Sequence, residues 1–176
     1  RALEDHAGSA PQGSGAGRRR MKLSVLAVGH RQPAWVDAGC AEYLKRMPRE
    51  LPASVTEIKP EARGSKFREQ LLAAEKGRIR DALPATCRIV VLDEKGDDLT
   101  TLKFAQRIET WMQDGREVAL LIGGADGLDE EFKRQADDRL RLSSLTLPHG
   151  LARLVLCEQL YRAASVLKNH PYHREG

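Results

Sequence analysis

Three cysteines in 176 residues, with no Cys-x-x-Cys pair, are too few and too scattered for a disulfide framework or a zinc site. Cys40, Cys87 and Cys157 read as small core residues of a protein kept in a reducing cytosol, so a cytoplasmic location is expected. No apolar run approaches the roughly 18–20 residues needed to span a membrane. No His, Cys, Asp or Glu grouping has metal-ligand spacing, so no metal is expected. Charge of one sign is scarce too. The net charge is +4, and beyond residue 20 there are 25 basic residues against 23 acidic. That balance excludes polybasic attachment to RNA, so any RNA contact must be a local patch read by shape. Neither glycine-rich stretch has a dinucleotide fingerprint. Gly13 to Gly17 follows no strand, and Gly123-Gly124-Ala125-Asp126-Gly127 lacks the GxGxxG spacing.

What is present begins in earnest at Met21. Residues 1–20 carry Gly, Ser, Ala and Pro and then Arg18-Arg19-Arg20, with no periodicity able to bury surface. They are expected to be a disordered extension, with a basic RNA-binding arm as the alternative. The tract ahead of Leu23 is polar, unlike a secretory signal. Residues 21–176 form one domain in which strands and helices alternate. Apolar runs at residues 23–28, 87–92 and 117–122 predict buried strands. A weaker, more polar run at 55–58 predicts a strand nearer an edge, and residues 140–142 a short fifth one. Helices are predicted after Pro33, over 66–83, after the Thr100 cap, from about Asp129, and over 150–167. The first carries Trp35, Val36, Cys40, Tyr43 and Leu44 on one side. The second is solvated, and its Lys66, Arg68, Lys76, Arg78 and Arg80 face either solvent or RNA. This alternation predicts an α/β protein with a mostly parallel sheet and helices on both faces.

Three segments close strands: Leu92-Asp93-Glu94, the Gly123-Gly124 turn, and Leu142-Ser143-Ser144-Leu145-Thr146-Leu147. Ligands of open α/β sheets sit outside the carboxyl ends of the strands, so these loops predict one pocket. The glycines either let backbone approach a ligand or merely turn the chain. The last helix is apolar on more than one side, which fits a dimer interface or a central core helix. Within it, Glu158 and Arg162 are spaced to pair. Beyond it, Tyr172, His173 and Arg174 offer one ring to stack on a nucleobase and two polar groups to contact it.

Four motifs in order carry a resemblance: residues 121–127 (LIGGADG), 142–149 (LSSLTLPH), 158–163 (EQLYRA) and 170–174 (HPYHR). The chain from Met21 onward resembles the bacterial 23S rRNA pseudouridine N3-methyltransferases of the SPOUT superfamily. The resemblance implies a C-terminal trefoil knot, which topology rules would not have predicted. It implies S-adenosylmethionine held by Leu92, Gly123, Gly124, Leu142, Ser143, Ser144, Leu145, Thr146 and Leu147. It also implies a homodimer whose substrate is a pseudouridine in helix 69 of 23S rRNA, met on the assembled 70S ribosome.

Under that reading, N3 of the base attacks the methyl group, and much of the rate comes from alignment. His173 is expected to accept the N3 proton, Arg174 to bind a base carbonyl or phosphate, and Tyr172 to stack. His149 is the rival base or else a structural brace. The competing functional readings are a ribosome-binding factor that keeps the fold without the chemistry, and a SPOUT methyltransferase of tRNA. The intact Gly124 and Ser/Thr loop argue against the first. The short chain and its Pro-Tyr-His-Arg ending argue against the second.

Overall fold

The structure, a computed structural model, describes residues 19–174. Most of the predicted extension, residues 1–18, lies outside the described residues. The core begins at Met21, which is fully buried and donates its N–H to the Glu50 carbonyl at 2.8 Å. The chain then runs β1 (Leu23–Val28), α1 (Ala34–Leu44), β2 (Ala53–Ile58), α2 (Arg68–Ala82), β3 (Arg88–Asp98) and α3 (Thr101–Asp114). It continues through β4 (Val118–Ile122), α4 (Glu130–Gln135), β5 (Asp138–Arg141) and α5 (His149–Leu167), and closes on a 3-10 turn, Pro171–Arg174.

The five strands form one parallel sheet in the order β2-β1-β4-β3-β5. β1 and β4 are buried along their whole length, as central parallel strands must be when helices cover both faces. The more polar β2 lies at an edge. Alternation along β1 divides the core. Leu23, Val25 and Ala27 pack with Phe104, Ile108 and Trp111 of α3 and with Leu156 and Leu160 of α5. Leu26 and Val28 turn to the other face, toward Ile79 of α2 and Phe132 of α4. α5 therefore lies in the helical layer on one face of the sheet, with α3 on one flank and α1 on the other. Gly39 allows the second contact, since a Cβ there would lie 2.7 Å from Leu154 Cδ1. The buried Cys40 and Cys157 meet at this seam as free thiols joined by a hydrogen bond, and that hydrogen bond is the main cause raising the Cys157 pKa.

Local rules govern the helix ends. Thr100 caps α3 by accepting the Lys103 N–H at 3.3 Å, and Gly115 ends it in the left-handed conformation at φ 79°. Where tertiary contacts intervene, the sequence expectations change. Trp35 does not share the buried side of α1; it is 58% exposed while Val36 and Cys40 are buried. One step along a helix is about 100°, and the four-residue spacing of Val36 and Cys40 sets the buried stripe. β3 does not end at Asp93. It pairs with β5 at Leu92 and again at Asp97, both opposite Leu140, so the four residues between them bulge. Gly96 permits this, because a Cβ there would lie 2.6 Å from the Leu140 main chain. At the start of β5, the part-buried Asp138 carboxylate accepts from Trp111 Nε1 at 3.0 Å, Arg107 at 2.6 Å and Arg88 at 3.2 Å. These bonds tie α3 to the sheet.

Candidate cofactor pocket and C-terminal tail

The carboxyl ends of β3, β4 and β5 surround a cavity of about 770 Å³. It is lined by every residue assigned to S-adenosylmethionine from the resemblance: Leu92, Gly123, Gly124, and Leu142, Ser143, Ser144, Leu145, Thr146 and Leu147. A smaller cavity of about 400 Å³ extends toward Phe104 and Gln159. It shares Leu92, Arg141, Leu142, Ser143 and Leu147, which makes the two lobes of one cleft. The size suits a nucleoside-sized ligand. Asp93 and Glu94, expected at this pocket with Leu92, line it from the β3 bulge. Sequence reasoning missed Lys95 of the same bulge and the cations Lys133 and Arg141. No local pattern marks those three as part of a site, because only the bulge and the strand order bring them there.

The lining chemistry fits S-adenosylmethionine. The leucines of the lining suit an adenine ring. Carboxylates at Asp93 and Asp126 suit a sulfonium or ammonium cation, and Lys133 and Arg141 suit a carboxylate. Among the described residues, no group of three His, Cys, Asp or Glu side chains could hold a metal ion.

The glycine turn is shaped by the protein itself. A Cβ on Gly123 would lie 2.6 Å from the Gly127 carbonyl carbon and 2.7 Å from its oxygen. One on Gly124 would meet Val28 Cγ1 at 3.2 Å. Gly127 has a φ of 81°, and its N–H donates to the Gly124 carbonyl at 3.0 Å. The glycines therefore build a tight turn, and that turn forms part of the cavity wall.

His149, the first residue of α5, is half-buried. Its Nε2 accepts from Arg153 Nε at 2.9 Å, which leaves the ring proton on Nδ1 in the neutral form. The ring also bonds the main chain of Gly123. Arg153 is 1% exposed, with Nη1 lying 3.6 Å from Glu57. His149 is thus a brace between α5 and the Gly123 turn, and it does not line the cavity. Burial and then the Arg153 cation hold its pKa below the ordinary histidine value. The sign of the consequence follows. Below about pH 6.5 an unfolded His149 takes up a proton that the folded one resists, so stability falls as pH drops through that range toward the lowered folded pKa. Urea midpoints measured from pH 7.5 to 5 should fall on acidification. His149→Gln, which cannot titrate, should lose that component, and an identical pH slope in both proteins would show that His149 does not supply it.

The tail lies elsewhere. Tyr172 stacks on Tyr161 at 4.6 Å, sits beneath the Arg162 guanidinium at 4.8 Å, and reaches Glu158 Oε1 with its hydroxyl at 3.2 Å. Desolvation is the main cause raising its pKa. Arg162 pairs with Glu158 at 2.7 Å, as their spacing predicted. His173 is part-buried, with Nδ1 lacking a hydrogen-bond partner among the described residues. Arg174 is exposed and donates to Asn169 Oδ1 at 3.3 Å. None of Tyr172, His173 and Arg174 lines either lobe. Tyr172 docks beside Glu158, the chain neighbour of Gln159, which lines the smaller lobe. The chain therefore gathers all nine candidate cofactor positions on one cleft and leaves the three tail positions off its lining. The basic residues of the 66–80 segment bond to their own protein: Lys66 and Arg78 to Glu61, Lys76 and Arg80 to Glu131, and Arg68 to the Asp126 carbonyl.

A family model described as a predicted SPOUT methyltransferase matches residues 21–173. The chain is 87% identical over 156 residues to a ribosomal RNA large subunit methyltransferase H of Dechloromonas aromatica (strain RCB), covering 89% of this chain and 100% of that protein. A protein of the same name from Burkholderia ambifaria (strain MC40-6) is 57% identical over 155 residues, covering 88% and 99%. Among solved structures, a probable methylase family protein from Haemophilus influenzae Rd KW20 shares the fold. Its TM-score is 0.52 at 13% identity, over 88% of this chain and 70% of that one. Taken with the parallel sheet and the cleft at its strand ends, these matches place the chain in the SPOUT methyltransferase family.

Proposed function

We propose that this protein methylates N3 of a pseudouridine in helix 69 of 23S rRNA, on the assembled 70S ribosome, with S-adenosylmethionine as donor. The observation that carries the reading is the convergence of Leu92, Gly123, Gly124 and the 142–147 loop on one cleft, in a chain 87% identical to a protein named as an rRNA large subunit methyltransferase. Among the described residues no helix is long and apolar enough to cross a membrane, which fits the cytoplasmic setting the substrate requires.

S-adenosylmethionine supplies a methyl group on an electron-poor sulfonium. The cleft residues hold it, with the trefoil knot of the family formed around the 142–147 loop. The chain's own groups then act on the base. As the methyl carbon gained its bond to N3, its bond to sulfur would break and leave the electron pair on a neutral thioether, and N3 would give up its proton to His173. Arg174 holds a base carbonyl or the neighbouring phosphate, and Tyr172 stacks. His149 is not needed as a base, since Arg153 already occupies its Nε2.

That the tail lines no part of its own chain's cleft supports a homodimer in which each tail serves the partner's cleft. α5 is the element through which such subunits would meet. Nucleoside mapping of ribosomal RNA from a deletion strain, with and without this protein restored, tests the function. Restoration should return one N3-methylated pseudouridine in helix 69. A methyl mark appearing instead on tRNA, or no mark despite ribosome binding, would overturn the assignment.

A further inference from the structure

Phe67 leaves 74% of its surface in water. An aromatic ring held out of the core forfeits the burial that would stabilise the fold. Its neighbours in sequence are Arg63, Lys66 and Arg68. The segment is not a loose loop. Arg63 Nη2 donates to both oxygens of the Asp126 carboxylate, at 2.8 and 2.6 Å, and Arg68 Nη2 donates to the Asp126 carbonyl at 2.9 Å. The Phe67 N–H donates to Gln70 Oε1 at 2.9 Å, which fixes the backbone where α2 begins. Asp126 and Arg68 both line the large cavity, so the ring is pinned at its rim. Arg63 and Lys66 keep 61% and 44% of their side chains exposed despite their carboxylate partners, so a phosphate can compete for them.

We propose that Phe67 is a stacking platform for an unpaired nucleotide of the RNA substrate beside the one whose base enters the cleft, with Arg63 and Lys66 taking its phosphates. The inference rests on the rRNA methyltransferase reading. N3 lies on the Watson–Crick edge, so a base methylated there must be unpaired, and its neighbours lose stacking partners with it. Aromatic rings recognise such bases by their faces, without sequence preference, while cations track the backbone.

The test measures equilibrium binding to 70S ribosomes from a strain lacking the modification, together with single-turnover rate at saturating ribosomes. Phe67→Ala should raise the dissociation constant roughly 5- to 100-fold, the effect of losing one base–aromatic stack. Its saturated rate and its S-adenosylmethionine affinity by calorimetry should stay at wild-type values, and Phe67→Tyr should restore ribosome affinity. Lys66→Ala should make binding less steeply dependent on salt. Photo-crosslinking from p-benzoylphenylalanine at position 67 should capture rRNA. Unchanged ribosome affinity in Phe67→Ala, or crosslinks to a ribosomal protein alone, would remove the platform while leaving the methyltransferase reading intact. Failure of the wild-type protein to methylate ribosomes would instead remove that reading, and the platform with it.

Discussion

A protein lacking Tyr172 and everything after it should bind S-adenosylmethionine with nearly unchanged affinity and fail to methylate ribosomes. The cofactor residues lie on a cleft to which the tail contributes no lining residue. The tail is docked, however, and not free: Tyr172 stacks on Tyr161 and closes on Glu158. Its removal should lower folding stability by about 1 kcal/mol, the scale of one aromatic pair, and leave the core in place. His173→Ala alone should reduce the single-turnover rate by roughly 10²–10⁴-fold, as expected for a lost proton acceptor. A smaller loss would mark His173 as a positioning group and shift attention to Arg174. Since the tail lines no part of the cleft of its own chain, mixed dimers give the sharper result. Tail-deleted protein mixed with a cleft-defective variant should recover activity at one site per hybrid dimer, because that site draws its cleft and its tail from different chains. No recovery in the mixture, or full activity of the tail-deleted protein by itself, would sink the assignment.

The cleft-defective variant should be Gly123→Ala, which we expect to weaken S-adenosylmethionine binding by roughly tenfold to a hundredfold. A Cβ at position 123 would sit 2.6–3.0 Å from three backbone atoms of Gly127. Backbone cannot step aside as a flexible side chain can, so the turn must open. Overpacking of this kind costs about 1–3 kcal/mol, spent here mainly on distorting a pocket wall. Gly124→Ala is the control. Its Cβ would press on Val28 Cγ1 at 3.2 Å, a contact into the core that the neighbour can relieve by a small shift. Its main effect should therefore be on stability. Calorimetry of both folded variants separates the two positions. Equal cofactor affinity in Gly123→Ala and wild type would show that the turn does not shape the site.

Much of this was written locally. Continuous apolar runs such as residues 118–122 can be satisfied only between two helical layers, so a covered parallel sheet followed from the pattern. The polarity of residues 53–58 placed β2 at an edge for the same reason. Four-residue spacing was enough for the Glu158–Arg162 pair, and the three segments read as closing strands were enough to foresee one shared pocket. Tertiary structure alone decided the strand order, the β3 bulge that adds Lys95 to the pocket wall, and the Arg153–His149–Gly123 brace. It also decided that the tail folds onto Tyr161 and stays off the lining of its own cleft. Each of these joins residues far apart in sequence through backbone approach or a single hydrogen bond. Periodicity reports which side of an element is buried, and it carries no information about which distant element does the burying.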